Sequence, residues 1–151
     1  MPDKTLYRSV DASVIFGNHD EDELYDVNRY IEWGDDAWSG NGEYVQGLRR
    51  NAQQIIDKAI GKTITDKGFM STTSDKSIAE DFYGFTGASN PVIMKINTNG
   101  KARGVNLSKY DKNVAPGAEQ KERLLARNTS YTVNKITTDD NHNVIVEVTL
   151  K

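Results

Sequence analysis

The chain has 151 residues, 22 of them acidic and 19 basic, which gives a formal net charge of −3. This length suits one folded domain, and the 27 % of charged residues together with a full set of aromatics argue against an intrinsically disordered chain. The pI near 5.4 excludes a strongly basic protein, so the overall charge does not favour tight binding to a nucleic-acid backbone.

The first part of the chain predicts one strand followed by two amphipathic helices. Residues 5–10 are predicted to form a short strand. Residues 21–31 carry apolar side chains every three or four positions, which is typical of a helix with one buried face. The glycines within 39–42 interrupt the chain, and an apolar stripe over 44–60 then predicts a second helix that ends at Gly61.

The second part of the chain changes to short strands. Residues 69–73 predict a strand, and Ser74 with Asp75 is expected to cap a short helix that runs through Phe82. Further strands are predicted over residues 91–97, 102–106, 120–126, 130–136 and 143–150. A polar loop is expected over 108–119, and a hairpin turn over 139–142. Because the helices come first and the strands later, the sequence predicts an α+β domain with a largely antiparallel sheet.

Three separated segments combine residue types that suit a polar substrate: Tyr7-Arg8-Ser9, Ser71-Thr72-Thr73 and Gln120-Lys121-Glu122. Because side chains alternate along a strand, Gln120 and Glu122 are expected on one face, where an amide and a carboxylate can grip a polar group. Taken alone, each segment also fits a structural role. The first fits a surface ion pair, the second a hydroxyl-rich strand end, and the third a pair of exposed strand residues.

Together and in this order, the segments resemble the arginine–serine–glutamate class of mono-ADP-ribosyltransferase toxins. In that family an aromatic–arginine pair, a Ser-Thr-Ser segment and a Gln-x-Glu or Glu-x-Glu segment lie on three strands. The flanking residues 68–70 and 124–125 fit as well, and the resemblance covers residues 6–150. It implies one catalytic domain over 1–151 with the ADP-ribosyltransferase fold, in which two packed, mainly antiparallel β-sheets and flanking helices enclose an NAD cleft.

The resemblance also implies the chemistry and the residues that perform it. NAD would be the co-substrate, nicotinamide would leave, and ADP-ribose would pass to a macromolecule without a metal ion. Glu122 would stabilise the developing oxocarbenium ion, Ser71 would orient Glu122, and Arg8 would hold the pyrophosphate. One preorganised group of this kind contributes about 3–4 kcal/mol to catalysis. The remaining expected NAD contacts are Tyr7, Ser9, Thr72, Thr73 and Phe82.

The residue at position 120 bears on the acceptor. In the family, Gln-x-Glu occurs in the Rho-modifying exoenzymes, which act on asparagine, and in enzymes that act on guanine, whereas Glu-x-Glu accompanies arginine acceptors. Gln120 therefore favours an asparagine or glutamine side chain of a protein over arginine, and guanine nucleic acid stays an alternative. A bulge at Glu119 could bring a second carboxylate to the site.

The chain departs from the Rho-modifying group at three places. That group has an aromatic residue where this chain has Gly117, an arginine in the loop that corresponds to residues 83–90, and a serine at the position of Thr73. Because Arg8 lies so near residue 1, we also expect the helical lobe that precedes the arginine in that group to be missing. These departures weaken the case for a Rho GTPase as the acceptor.

Other features of the sequence exclude disulfide and zinc sites and leave several cellular locations open. The chain has no cysteine and only two histidines, so a disulfide framework and a zinc cluster are excluded. The acidic runs at 20–23 and 35–36 read as solvated faces, and 39–42 as a turn. No apolar segment has the length of a signal peptide or a membrane span. We expect a soluble monomer that does not engage a membrane and is secreted, injected into a target cell, or phage-encoded and cytoplasmic.

Two other functions are compatible with the same residues. An NAD glycohydrolase would use water as the acceptor, and labelled NAD in a cell lysate would then mark no macromolecule. A binding module could have kept the fold without its chemistry, in which case NAD binding would be absent.

Overall fold

The computed structural model describes residues 5–68, 70–81, 88–101, 104–106 and 122–151. The chain begins with strand β1 (Thr5–Asp11), followed by helices α1 (Ala12–Phe16) and α2 (Glu21–Trp33), a 3-10 turn (Gly34–Ala37) and helix α3 (Glu43–Ala59). Next come β2 (Thr63–Asp66), β3 (Met70–Thr73), α4 (Lys76–Asp81) and β4 (Pro91–Asn97). The last strands are β5 (Gly104–Asn106), β6 (Glu122–Leu125), β7 (Thr129–Thr138) and β8 (Val144–Leu150). This order confirms the α+β class expected from the sequence.

Three elements were not predicted from the sequence: α1, the 3-10 turn and β2. Helix α1 has five residues, too few to show an apolar period, and its start is fixed by the Asp11 carboxylate, which accepts the Ser13 N–H. Strand β2 carries only one aliphatic residue, Ile64, and lies at the edge of the sheet, where it pairs with β7. Its conformation therefore depends on a partner that is distant along the chain rather than on a local pattern.

The described strands form one hydrogen-bonded sheet in the order β2-β7-β8-β4-β1-β3-β6-β5. All neighbouring strands are antiparallel except the parallel pair β4–β8. Strands β1 and β4 pair along their full lengths, from Thr5 opposite Asn97 to Asp11 opposite Pro91. By contrast, one backbone pair, Tyr7 with Thr73, joins β1 to β3 in the described chain. The two sheets expected from the sequence are thus continuous through this narrow link.

The sheet is covered on both faces. The main core packs one face against α1, α2 and α3, with Leu6 and Val10 of β1 among its buried residues. A smaller cluster on the other face joins Ala79 of α4 to Ile93 and Ile145, with Tyr7 packed against it. Because side chains alternate along β1, Arg8 leaves the sheet on the face of Leu6 and Val10, toward the three helices.

No helix in the described part of the chain combines the length and the apolar character needed to cross a membrane.

Candidate active site

The strands that carry the three sequence motifs are neighbours in the sheet. Thr73 of β3 is the backbone partner of Tyr7 on one side and of Glu122 on the other. Tyr7, Thr73 and Glu122 therefore lie in one row across β1, β3 and β6, although they come from distant parts of the chain. Gln120 and Phe82, also predicted as site residues, lie outside the described residues, and for Glu122 the structure gives the strand position alone.

Arg8 is tied to the neighbouring strand by its own side chain. Its Nη1 donates a hydrogen bond of 3.3 Å to the carbonyl oxygen of Ser71 on β3. The side chain is half-buried between Leu6 and Val10, and no carboxylate of the described residues forms an ion pair with it. A guanidinium held in this way keeps further N–H groups for an anionic ligand.

The three hydroxyl residues of β3 differ in what they contact. Thr72 is 5 % exposed, and its Oγ1 donates to the carbonyl oxygen of Arg123 at 2.9 Å, which fastens β3 to β6. Thr73 is 6 % exposed, and its Oγ1 accepts the Asp75 N–H at 3.1 Å just before α4 begins. Ser71 is exposed. Of the three hydroxyls, the one of Ser71 is thus the one that a ligand at the surface can reach.

The two residues that flank Arg8 on β1 face the other side of the sheet. Tyr7 is half-buried and packs against the cluster beneath α4. The Ser9 Oγ is buried and forms no hydrogen bond with any residue that the structure describes. A buried hydroxyl without a partner is unusual in a folded protein, and such groups are frequent at functional sites.

A cavity of about 640 Å³ opens beside Arg8, between the end of β1 and the first two helices. This volume lies in the range typical of sites for small molecules and cofactors. Its wall includes Arg8, Ser9, Asp11, Ser13, Glu21 and Ser89. A second cavity, of about 840 Å³, lies at the opposite end of the sheet around Lys101, Arg127 and Lys151. It contains none of the motif residues, so the smaller cavity is the better candidate.

Asp11 organises the wall of this cavity. Its carboxylate accepts the N–H groups of Ser13 at 3.0 Å and of Asn90 at 3.1 Å. Asn90 Nδ2 in turn donates to the carbonyl oxygen of Glu21 at 3.0 Å, and Ser89 Oγ donates to the Glu21 carboxylate at 2.9 Å. Burial raises the pKa of the Asp11 carboxyl. The hydrogen bonds that this carboxylate accepts from Ser13 and Asn90 outweigh burial and hold its pKa below the usual value.

The role of Asp11 was missed from the sequence. The signal that could have revealed it is an aspartate at the end of a strand, directly before a short apolar stretch, which is a typical helix N-cap pattern.

Nothing in the described chain resembles a metal centre. No group of three or more histidine or acidic side chains in the described ranges is arranged to hold a metal ion.

Comparison with known proteins finds a matching family. The family described as ADP-ribosyltransferase exoenzyme matches residues 4–151 of the chain. No curated protein matches it.

Solved structures of similar fold include a C3-type ADP-ribosyltransferase and a C3 exoenzyme. An ADP-ribosyltransferase of the C3 type from Clostridium botulinum is 20 % identical, with a TM-score of 0.58 over 97 % of this chain and 59 % of that one. The Clostridium limosum C3 exoenzyme is 19 % identical, with a TM-score of 0.58 over 97 % and 58 % of the two chains. A C3 protein from S. aureus with NAD is 19 % identical, with a TM-score of 0.55 over 97 % of this chain and 61 % of that one.

At these identities the likeness shows the fold, which confirms the fold expected from the three motifs. The chain spans about three fifths of the length of each of these structures.

Proposed function

Because the chain belongs to the ADP-ribosyltransferase exoenzyme family, we propose that it transfers ADP-ribose from NAD to a macromolecule and releases nicotinamide. The observation that carries the proposal is the row formed by Tyr7, Thr73 and Glu122 across three adjacent strands. It brings the strand positions of Arg8, Ser71 and Glu122 close together, and Arg8 also lines a cavity of suitable volume. One domain over 1–151 would hold this whole site.

The anionic part of NAD is assigned to Arg8. A guanidinium is always charged and presents its N–H groups in a planar fork that matches phosphate oxygens. Its hydrogen bond to the Ser71 carbonyl oxygen fixes the side chain across the link between β1 and β3. Ser9 also lines the cavity beside Arg8, and Tyr7 and Phe82 are proposed as further NAD contacts, with Phe82 at the nicotinamide.

Glu122 is assigned the chemical step. The bond between ribose C1′ and the nicotinamide nitrogen breaks, its electron pair leaves with nicotinamide, and the ribose ring becomes an oxocarbenium ion. A carboxylate beside the ribose stabilises that positive charge and accepts a hydrogen bond from a ribose hydroxyl. The acceptor atom then forms the new bond to C1′ and loses its proton. Ser71 would orient Glu122, while the Thr72 hydroxyl fastens β3 to β6 and the Thr73 hydroxyl fixes the backbone just before α4.

The acceptor is proposed to be an asparagine or glutamine side chain of a protein, read by Gln120. An amide offers one donor and one acceptor and so complements another amide. The acidic first turn of α2, with Glu21, Asp22 and Glu23, lies beside the cavity and argues against a nucleic-acid backbone as the partner. We place the activity in a toxin or effector that acts on another cell as a monomer.

The test compares Glu122→Gln with Glu147→Gln. Glu147 is a half-buried strand residue on β8, in the same sheet but far from β3 and β6 in the strand order, and it serves as the matched control. We expect Glu122→Gln to lower nicotinamide release by a factor of about 10²–10³, and Glu147→Gln to leave it unchanged.

Labelled NAD added to a cell lysate then identifies the acceptor. Label on a protein supports the transferase, whereas free ADP-ribose alone would identify a glycohydrolase. Nicotinamide release by Glu122→Gln at the parent rate would overturn the assignment of Glu122.

A further inference from the structure

Glu21, the first residue of α2, lies in the wall of the cavity beside Arg8. Its carboxylate forms one hydrogen bond within the described chain, in which it accepts the Ser89 hydroxyl at 2.9 Å. No lysine, arginine or histidine among the described residues forms an ion pair with it. The carboxylate is therefore held in place and keeps acceptor capacity for a ligand.

The other carboxylate in the cavity wall, that of Asp11, supports the backbone instead. Its two oxygens accept the N–H groups of Ser13 at 3.0 Å and of Asn90 at 3.1 Å. These hydrogen bonds cap α1 and fix the residue that precedes β4. Of the two acids in the wall, Glu21 is therefore the one better placed to bind a ligand.

The cavity extends along β1 away from Glu122. Tyr7 lies in the row of strand positions that includes Glu122, whereas the cavity wall runs from Arg8 to Asp11, away from that row. At the usual rise of a strand, Arg8 and Asp11 are ~10 Å apart. With Glu122 assigned to the nicotinamide ribose and Arg8 to the pyrophosphate, the adenosine half of NAD falls in this cavity.

Glu21 lies at the Asp11 end of the cavity. The Asp11 carboxylate accepts the Asn90 N–H, and Asn90 Nδ2 donates to the Glu21 carbonyl oxygen. Ser89, which precedes Asn90, donates to the Glu21 carboxylate. Val14 in the same wall is 40 % exposed and offers an apolar surface against which a base can pack. This end of the cavity thus combines an apolar surface with a hydrogen-bond acceptor, as an adenosine requires.

The start of α2 is poorly suited to a phosphate group. A helix N-terminus often binds anions through its free backbone N–H groups. In α2 the Asp20 carboxylate accepts the Glu23 N–H at 2.8 Å. A negatively charged side chain thus already occupies the position that a phosphate at this helix end would take.

We propose that Glu21 makes the chain selective for NAD over NADP, a role that rests on the proposed function. The two dinucleotides differ at the 2′ oxygen of the adenosine ribose, which carries a hydroxyl in NAD and a phosphate in NADP. The Glu21 carboxylate accepts a hydrogen bond from the hydroxyl, as acidic residues do in other NAD sites. It repels the phosphate, which carries a charge of about −1.5 to −2 at neutral pH.

The parent protein provides the first test, through nicotinamide release from NAD and from NADP. We expect kcat/KM for NADP to be at least about 100-fold below that for NAD, because like charges would be brought together in the cavity. The difference should shrink in high salt, which screens the repulsion. Equal use of the two dinucleotides would overturn the proposal. Release of nicotinamide from neither would refute the proposed function itself.

The variant Glu21→Gln tests whether the selectivity comes from this carboxylate. Glutamine keeps the size of the side chain but removes its charge, so kcat/KM should fall about threefold for NAD and rise about tenfold for NADP. Opposite changes for the two dinucleotides would not follow from a loss of structure, which lowers both. A Glu21→Gln variant with the parent ratio of the two kcat/KM values would contradict the role of Glu21.

Asp22→Asn is the matched control for this variant. It removes the same charge from the same turn of α2, but the Asp22 side chain is exposed and does not line the cavity. Because solvent and salt screen such a charge, we expect the ratio of the two kcat/KM values to change by less than about threefold. Equal effects of both variants would assign the selectivity to the overall charge of α2 and overturn the proposal.

Discussion

Tyr7 and Thr73 are backbone partners, and no other pair in the described chain joins β1 to β3. Arg8 lies next to Tyr7, and its side chain adds a hydrogen bond to the Ser71 carbonyl oxygen, across a separation of 63 residues. The aromatic–arginine segment and the hydroxyl segment are therefore held together at one point of the sheet. Either segment alone fits an ordinary strand. A shared functional site is supported by the contact between the two segments.

Replacement of Arg8 by lysine should weaken NAD binding while preserving the fold. Lysine keeps the charge but loses the planar fork, so we expect the KM for NAD to rise about tenfold or more. The measurement is the initial rate of nicotinamide release over a range of NAD concentrations. Arg50→Lys, at an exposed position of α3, is the control and should leave the KM unchanged. An Arg8→Lys variant with the parent KM would contradict the assignment of Arg8 to the pyrophosphate.

The two hydroxyls at positions 71 and 72 should separate activity from stability. Ser71→Ala removes an exposed hydroxyl, so we expect unfolding free energy to change by less than about 0.5 kcal/mol and activity to fall about 10- to 100-fold. Thr72→Val keeps the side-chain shape but removes the buried donor to the Arg123 carbonyl oxygen. It should cost about 1–3 kcal/mol of stability.

Denaturant unfolding and rates of nicotinamide release measure the two effects. The reverse pattern, with Ser71→Ala unstable and fully active, would show that Ser71 is a structural residue.

Asp11 should make the protein more stable at neutral than at acid pH. Its pKa is lowered in the folded state, so its contribution is present above the unfolded value of 3.8 and is lost as the pH falls through the folded value. Asp11→Ala removes the cap of α1 and should cost about 1 kcal/mol at pH 7. The difference from the parent should shrink as the carboxyl becomes protonated.

Thermal unfolding between pH 7 and pH 3 measures this dependence, with the exposed Asp36→Ala as control. A difference between parent and Asp11→Ala that does not change with pH would argue against a role for the carboxylate charge.

Lys76 of α4 forms an ion pair of 3.0 Å with Asp139 in the turn between β7 and β8. Hydrogen bonding to Asp139 raises the pKa of Lys76. The stabilisation is therefore present below 10.5, the unfolded value, and is lost as the pH rises through the folded value. The Lys76 side chain is 39 % exposed, so we expect Lys76→Met to cost less than about 1 kcal/mol, and less still in high salt.

Unfolding at low and high salt measures the contribution of this pair. Lys58→Met, at an exposed position of α3, should show no such salt dependence. An equal response of both variants to salt would mean that the Lys76–Asp139 pair does not stabilise α4.

Local patterns were sufficient for some elements and for part of the site. The bounds of β4 were predicted correctly, because residues 91–97 form a nearly continuous apolar run that begins at a proline and ends before a turn. Arg8 and Ser71 were identified because the three motifs together and in this order resemble a known family, since each motif alone also fits a structural role. Whether they contact NAD remains a prediction.

Other features depend on contacts between distant segments and have no local signal. In the sequence, Tyr131 looks like an ordinary aromatic residue of a strand. Its hydroxyl lacks a partner among the described residues because of the way the strands and helices pack around it. The same holds for Thr72, whose hydroxyl is directed to the backbone of β6 by strand pairing rather than by its sequence neighbours.

The parallel pair of β4 and β8 governs the order in which the protein can assemble. Ile93 pairs with Ile145, so this contact closes a long loop, whose entropy must be lost before the contact stabilises anything. Until β8 is synthesised and inserted, β1 and β4 have no connection through the described sheet to β7 and β2. We therefore expect a chain cut within β8 to lose the proposed activity by failing to complete the sheet, even though every motif residue is still present.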